Sequence, residues 1–224
     1  IWAMKKLADE YSLLLIADNT FLSPYFQNPL DLGADLVIHS GTKFLNGHND
    51  VLAGFVCTNR EDLAEQLRYL YKTVGSCLSS FDSYLLLRGL KTLAVRMERQ
   101  QKNALQVALW LKKQPQVTDV LYIGLPEHPG YKVNLSQSRG FGSMISFHVD
   151  SKETAIRILD GVKLITYAES LGGTESLITY PRLQTHADVP EEIRERLGIN
   201  DRLLRFSVGL EDVEDLIADL KQAF

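Results

Sequence analysis

Two short apolar runs, each stopping at a polar group, constrain this chain more than any other feature. Leu13-Leu14-Leu15-Ile16-Ala17 has the composition of a fully buried parallel strand and ends at Asp18. Leu36-Val37-Ile38 is a second such run and ends in His39-Ser40-Gly41-Thr42-Lys43. Open α/β sheets place their ligands at the carboxyl ends of strands, where these polar groups fall. A third β-rich run, residues 51–58, follows them, and the simplest account puts it in the same sheet. The fold class expected from these residues is α/β.

The groups from Asp18 to Lys43 suit one kind of chemistry in particular. Lysine is a poor nucleophile while protonated, but beside a cationic cofactor it can form a Schiff base with an aldehyde such as pyridoxal phosphate (PLP). PLP also needs a carboxylate that keeps its pyridine nitrogen protonated, and Asp18 is a candidate. Its phosphate needs hydroxyl and N–H donors, which Ser40, Gly41 and Thr42 can supply without bulk. A plainer reading stands beside this one: a lysine after a strand is usually solvated, and an aspartate ending a strand is often a cap or turn former. Spacing alone leaves both open.

The wider pattern is more specific. Asp18-Asn19-Thr20-Phe21 with Ser23-Pro24, then Gly33-Ala34-Asp35, His39-Ser40-Gly41-Thr42-Lys43, Gly47-His48, Asp50 and Gly54, resembles the signature of the PLP-dependent Cys/Met metabolism family. That family contains the trans-sulfuration enzymes, including cystathionine γ-synthase and the cystathionine lyases. The resemblance covers essentially the whole chain. It implies the PLP-dependent transferase fold type I, aspartate aminotransferase-like. Residues 1–105 would be the end of the large cofactor domain with a bridging helix, and residues 106–224 the small C-terminal α/β domain. It implies Lys43 as the catalytic lysine, with Asp18, Ser40 and Thr42 as further PLP-binding residues. It also implies that the family's glycine-rich, ring-stacking segment lies outside this sequence, and that the protein is a homo-oligomer, a tetramer in the family.

A second group of residues bears on the substrate. An α-amino acid needs its carboxylate held, and a guanidinium fork does that best. Arg205 interrupts an apolar run, Leu203-Leu204-Arg205-Phe206-Ser207-Val208, so it must either reach solvent or meet a buried anion. The segment from Leu203 to Asp212, LLRFSVGLED, resembles the family's carboxylate-binding arginine motif. Glu169-Ser170-Leu171-Gly172-Gly173-Thr174-Glu175-Ser176 resembles the loop whose serine joins that arginine. The resemblance therefore implies Arg205, Ser170 and Glu169 as substrate-binding residues. Glutamate before this serine is the cue for γ-carbon chemistry on homoserine esters or cystathionine, with β cleavage of cystathionine as the alternative. A non-catalytic structural or oligomerisation module is the reading from another class.

Composition narrows the partners. A net charge of −4 gives no reason to expect nucleic acid or an anionic membrane. Two cysteines cannot form a disulfide framework in a 224-residue chain, so both are read as free thiols and the expected location is the cytoplasm. The five histidines show no His-x-His or Cys-x-x-Cys spacing, so no metal site is expected.

Periodicity places the remaining elements. Residues 1–11 read as a helix with Trp2, Leu7 and Tyr11 along it, residues 19–34 as irregular, and residues 60–71 as a helix with Leu63, Leu67 and Leu70 on one face. Residues 80–114 hold one glycine and no proline, and read as a single long helix with Leu86, Leu90, Leu93, Met97, Leu105 and Leu109 as its apolar positions. Beyond Pro115, strands are expected at 117–121, 142–149, 164–167 and 203–208, and helices at 152–159, 191–197 and 211–224.

Overall fold

A computed structural model describes residues 1–224. They divide into two compact units, Ile1–Ala94 with Val133–Gly140, and Val95–Lys132 with Phe141–Phe224.

The first unit is built on a three-stranded sheet. Helix α1 (Trp2–Glu10) leads to β1 (Ile16–Asp18), and β1 lies parallel to β2 (Leu36–Ser40) with Asp18 opposite Ile38. Between them the chain turns through the short helix α2 (Ser23–Phe26) and a 3-10 turn, Pro29–Leu32. Strand β3 (Gly54–Cys57) joins the same sheet as expected, but antiparallel to β2 and three residues later than the apolar run begins. Two helices follow, α3 (Glu61–Val74) and α4 (Ser80–Leu90). Residues 133–140 complete the unit through Arg139, whose N–H donates to Phe26 O (2.7 Å) and whose guanidinium donates to Pro24 O and Tyr25 O.

The expectation of a fully buried first strand is corrected. Only Ile16–Asp18 pair, while Leu13, Leu14 and Ile16 are exposed. Within residues 1–224, β1 has β2 as its single neighbour. Strand residues alternate between faces, and in β2 Val37 and His39 are buried whereas Ile38 is exposed. Asp18, in register with Ile38, shares the open face. Helix α1 forms where expected, yet Trp2, Leu7 and Tyr11 are exposed and only Ala8 is buried.

The single long helix over residues 80–114 is also corrected. The chain breaks at Lys91-Thr92, and a separate helix α5 runs over Leu93–Leu111. Thr92 donates both its N–H (3.1 Å) and its hydroxyl (3.0 Å) to the carbonyl of Gly89. A hydroxyl competing for a carbonyl next to a flexible glycine is an effective helix stop. Within α5 the expected positions are spaced in multiples of four residues and drift off the 3.6-residue period, so Leu105 and Leu109 point outward, and Met97, Ala104, Val107, Ala108 and Leu111 form the buried stripe.

The second unit carries the larger core. Its five strands are β4 (Val117–Leu121), β5 (Met144–Val149), β6 (Thr166–Tyr167), β7 (Leu177–Thr179) and β8 (Leu203–Ser207), in the spatial order β4-β5-β8-β7-β6. Every pairing is antiparallel except β6 with β7. Helix α5 contributes Ala104, Val107, Ala108 and Leu111 to a cluster with Ile145, Phe147, Leu204 and Phe206. Between β4 and β5 the chain forms α6 (Tyr131–Gln137), which periodicity does not reveal. After β5 come α7 (Lys152–Gly161), the short α8 (Glu191–Arg196) and the terminal α9 (Val213–Ala223). The 164–167 strand contracts to two residues, while β7 is an addition, made by residues just after the loop 169–176 that periodicity leaves unassigned.

Candidate active site

The first group gathers where β1 and β2 end. Because these strands are parallel and adjacent, their carboxyl ends lie side by side. Asp18 Oδ1 accepts the N–H of Thr20 (3.0 Å), and Thr20 Oγ1 accepts the N–H of Ser40 (2.8 Å). Thr20 therefore ties the aspartate to the second strand end. Only one oxygen of the exposed Asp18 carboxylate is engaged, which leaves Oδ2 for an N–H donor.

Lys43 lies three residues beyond β2, in a π-type turn over Gly41–Leu45. It departs from helical backbone angles (φ −92°, ψ −129°) and is half-buried between Gly41-Thr42 and the buried Phe44-Leu45. Two close approaches hold this turn. A Cβ on Gly41 would stand 2.8 Å from the Phe55 ring and 2.9 Å from Ala53 Cβ, so only glycine lets the turn lie on the segment entering β3. A Cβ on Gly89 would meet Asn46 O at 2.3 Å, so α4 packs directly on the backbone just after the lysine. Thr42 commits its N–H to Ala53 O (3.2 Å), and its hydroxyl accepts from Ala53 N–H (3.0 Å) while donating to Ala53 O at 3.3 Å. That last bond is long for O–H···O, so this proton can be redirected to a better acceptor.

His39, on the buried face of β2, is held below its ordinary pKa by burial, against a raising effect from Asn19 and the Asp18 charge. Its Nδ1 has no partner.

The second group forms on β7, β8 and the loop before them. Arg205 is half-buried, opposite Thr179 on β7 and Ser146 on β5. Its Nη2 donates to the carbonyl of Ser170 (3.3 Å) and to Thr179 Oγ1 (3.2 Å). Nε is buried and has no acceptor. Burial pulls the guanidinium below its ordinary pKa and Glu169 acts in the opposite direction, but an arginine stays charged throughout. Ser170 carries a positive φ of +89°, rare for a residue with a side chain and costing of order 1 kcal/mol. Such an outlier is worth a functional explanation.

Side chains outside the expected set hold the loop after Ser170. Ser207 Oγ accepts Gly172 N–H (2.8 Å), and Gln100 on α5 donates to Gly173 O (2.6 Å). Glu211 accepts both the N–H (2.6 Å) and the hydroxyl (2.8 Å) of Ser176, whose oxygen in turn accepts Gly209 N–H (2.8 Å). Ser176, Ser207 and Glu211 lie inside the segments that resemble the family's motifs, so sequence could point to them. Thr179 carried no such signal: it meets Arg205 only through the pairing of β7 with β8.

The donor set in the first unit fits PLP. It comprises a carboxylate with a free oxygen, two hydroxyls and an amine within one compact segment, at parallel strand ends. The orphaned Nε of Arg205 fits a carboxylate. These features define a mixed α/β protein with a cluster of polar groups at its parallel strand ends, and comparison with known proteins supplies the family. The chain belongs to the family described as Cys/Met metabolism PLP-dependent enzymes, whose profile matches residues 1–224.

Its relatives in that family are trans-sulfuration enzymes. It is 52% identical over 210 residues to cystathionine gamma-lyase of Dictyostelium discoideum, covering 93% of this chain and 54% of that one. It is 51% identical to cystathionine gamma-synthase of Haemophilus influenzae (98% and 55% covered) and 49% identical to cystathionine beta-lyase of Coxiella burnetii (97% and 57% covered). Among solved structures, cystathionine gamma-lyase from Lactobacillus plantarum, complexed with L-serine, matches with a TM-score of 0.95 at 46% identity, over 100% of this chain and 58% of that one. The chain thus spans little more than half the length of the relatives it matches. No helix is long and apolar enough to cross a membrane.

Proposed function

We propose that this chain is part of a fold-type-I PLP enzyme of trans-sulfuration, acting at the γ carbon of homoserine esters or cystathionine as a cystathionine γ-synthase or γ-lyase does. The observation that carries this is Arg205: a half-buried guanidinium held by two neutral acceptors on one nitrogen, with a buried Nε and no partner for it. A carboxylate would accept charge-assisted bonds from the guanidinium N–H groups that Ser170 and Thr179 leave open. The γ preference rests on Glu169 preceding Ser170. A β-lyase remains the second reading, favoured by relatives with that activity at comparable identity.

PLP, when bound, supplies an electron sink that acidifies the substrate's Cα–H. The residues of this chain act around it. Lys43 would hold the cofactor through its amine, and the same amine would carry the proton taken from Cα and, for γ chemistry, from Cβ. Asp18 Oδ2 would accept the N–H of the cofactor, with Thr20 keeping the carboxylate in place through Oδ1. Ser40 and the redirected hydroxyl of Thr42 would hold its phosphate. Arg205, with Ser170 and Glu169 beside it, orients the amino acid by its carboxylate. We further propose a homo-oligomer, supported by the exposed Tyr69, Leu70, Val74, Phe81, Tyr84 and Leu87 on α3 and α4.

The test is direct. Protein incubated with PLP should gain visible absorbance that borohydride abolishes, leaving the label on Lys43. Cleavage of cystathionine should release a four-carbon 2-oxo acid if it acts at γ, and a three-carbon one if it acts at β. Lys43→Ala should keep the fold and lose turnover; an active Lys43→Ala protein would remove the basis for the assignment.

A further inference from the structure

We propose that Thr179 is a positioning residue for the carboxylate arginine, fixing which edge of the Arg205 guanidinium is offered to an amino-acid substrate. The inference rests on the reading of Arg205 given above.

Thr179 closes β7 directly across from Arg205 on β8 and is 1% exposed. Its hydroxyl has one proton, and that proton is donated to Ala168 O at 2.9 Å. Ala168 is itself held in place, its N–H bonded to Ile178 O (3.1 Å). With its proton turned to Ala168, the hydroxyl presents only lone pairs to Arg205, and Nη2 meets them at 3.2 Å. Thr179 is therefore an acceptor of fixed orientation.

A second acceptor reaches the same nitrogen. Ser170 O lies 3.3 Å from Nη2, aimed there by the left-handed backbone of Ser170 (φ +89°) and by a loop that Ser207 and Gln100 hold at Gly172 and Gly173. Two acceptors on one corner of a planar group restrict its rotation. With Nη2 engaged, Nε is left buried and unpaired, in a fixed plane. A guanidinium pinned at one corner is pre-organised, so a carboxylate need not order it on binding. Losing the Thr179 oxygen leaves Ser170 O as the one pivot.

Threonine to valine preserves the β-branched shape and removes only the hydroxyl, so the strand should accept it. In PLP-loaded protein, Thr179→Val should lower kcat/KM for the amino-acid substrate by about ten-fold, mostly through a raised KM, with the visible spectrum of the bound cofactor unchanged. Thr179→Ser, which restores the oxygen, should recover activity to within about two-fold. Thr179→Ala gives the same reading as valine should the valine variant not fold. The proposal is overturned if Thr179→Val matches wild type while Arg205→Leu is crippled, or if serine fails to rescue. If Arg205→Leu is itself unimpaired, the carboxylate reading falls first and the role of Thr179 falls with it.

Discussion

Asp35→Asn should destabilise the first unit by about 2 kcal/mol at neutral pH and by close to nothing near pH 2. The Asp35 carboxylate is 7% exposed. Its Oδ2 accepts Leu15 N–H (2.9 Å) and Lys5 Nζ (2.9 Å), and its Oδ1 accepts Lys5 Nζ (3.1 Å) and Arg60 Nη1 (3.1 Å). The backbone bond from Leu15, with help from Lys5 and Arg60 and against the cost of burial, lowers its pKa from 3.8 to about 2. A tenfold change in proton affinity corresponds to about 1.4 kcal/mol, which gives the figure above. The folded pKa is depressed, so this stability is fully present above pH 3.8 and is lost as pH falls through about 2. Asparagine keeps the shape but presents an amide N–H₂ to a ring of donors. Lys5 and Arg60 retain access to water and lose little by themselves. Urea unfolding across a pH series reads the loss directly, and hydrogen exchange at the Leu15 amide should speed up about thirty-fold at pH 7. Equal destabilisation at pH 2 and pH 7, or none at pH 7, would refute the electrostatic origin. Function should follow as well, since Leu15 and Asp35 sit immediately before the Ile16–Leu36 pair that sets the register carrying Asp18 and Ser40.

Three further outcomes are expected. Asp18→Asn keeps an acceptor for Thr20 N–H, so stability should change by no more than about 0.5 kcal/mol, whereas turnover should fall by roughly a thousand-fold or more; kcat within a few-fold of wild type would leave Asp18 as a turn former only. Arg205→Leu should reduce kcat/KM by about thirty-fold or more with PLP still bound, and near-neutral kinetics would show that the arginine is a spectator. Gly89→Ala should destabilise by about 1–3 kcal/mol, because α4 must retreat from the Asn46 carbonyl, and should weaken PLP retention by disturbing the turn of Lys43; an unchanged melting curve would contradict the close approach.

The local signals were legible where chemistry and backbone preference reside in consecutive residues. Asp18, Ser40 and Lys43 could be read as strand-end groups because apolar runs announce strands and their polar stops announce the ends. Residues 117–121 became β4 with the expected bounds, and Lys152 opens α7 as expected, its start marked by a Ser151 hydroxyl that accepts Thr154 N–H (3.1 Å). Periodicity failed at Lys91-Thr92, where α4 ends with the Thr92 hydroxyl bonded to Gly89 O, and within α5, where Leu105 and Leu109 drift off the face of Met97 and are exposed.

What the sequence by itself determined was the family and the α/β class, since each depends on residue types at short spacing. Tertiary structure alone decided that β3 runs antiparallel and that Asp35 anchors the first strand. It alone brought Thr179 to Arg205, 26 residues apart in sequence and 3.2 Å apart in space. The physical reason is that strand pairing and register are set by contacts between distant segments, so no window of consecutive residues contains them.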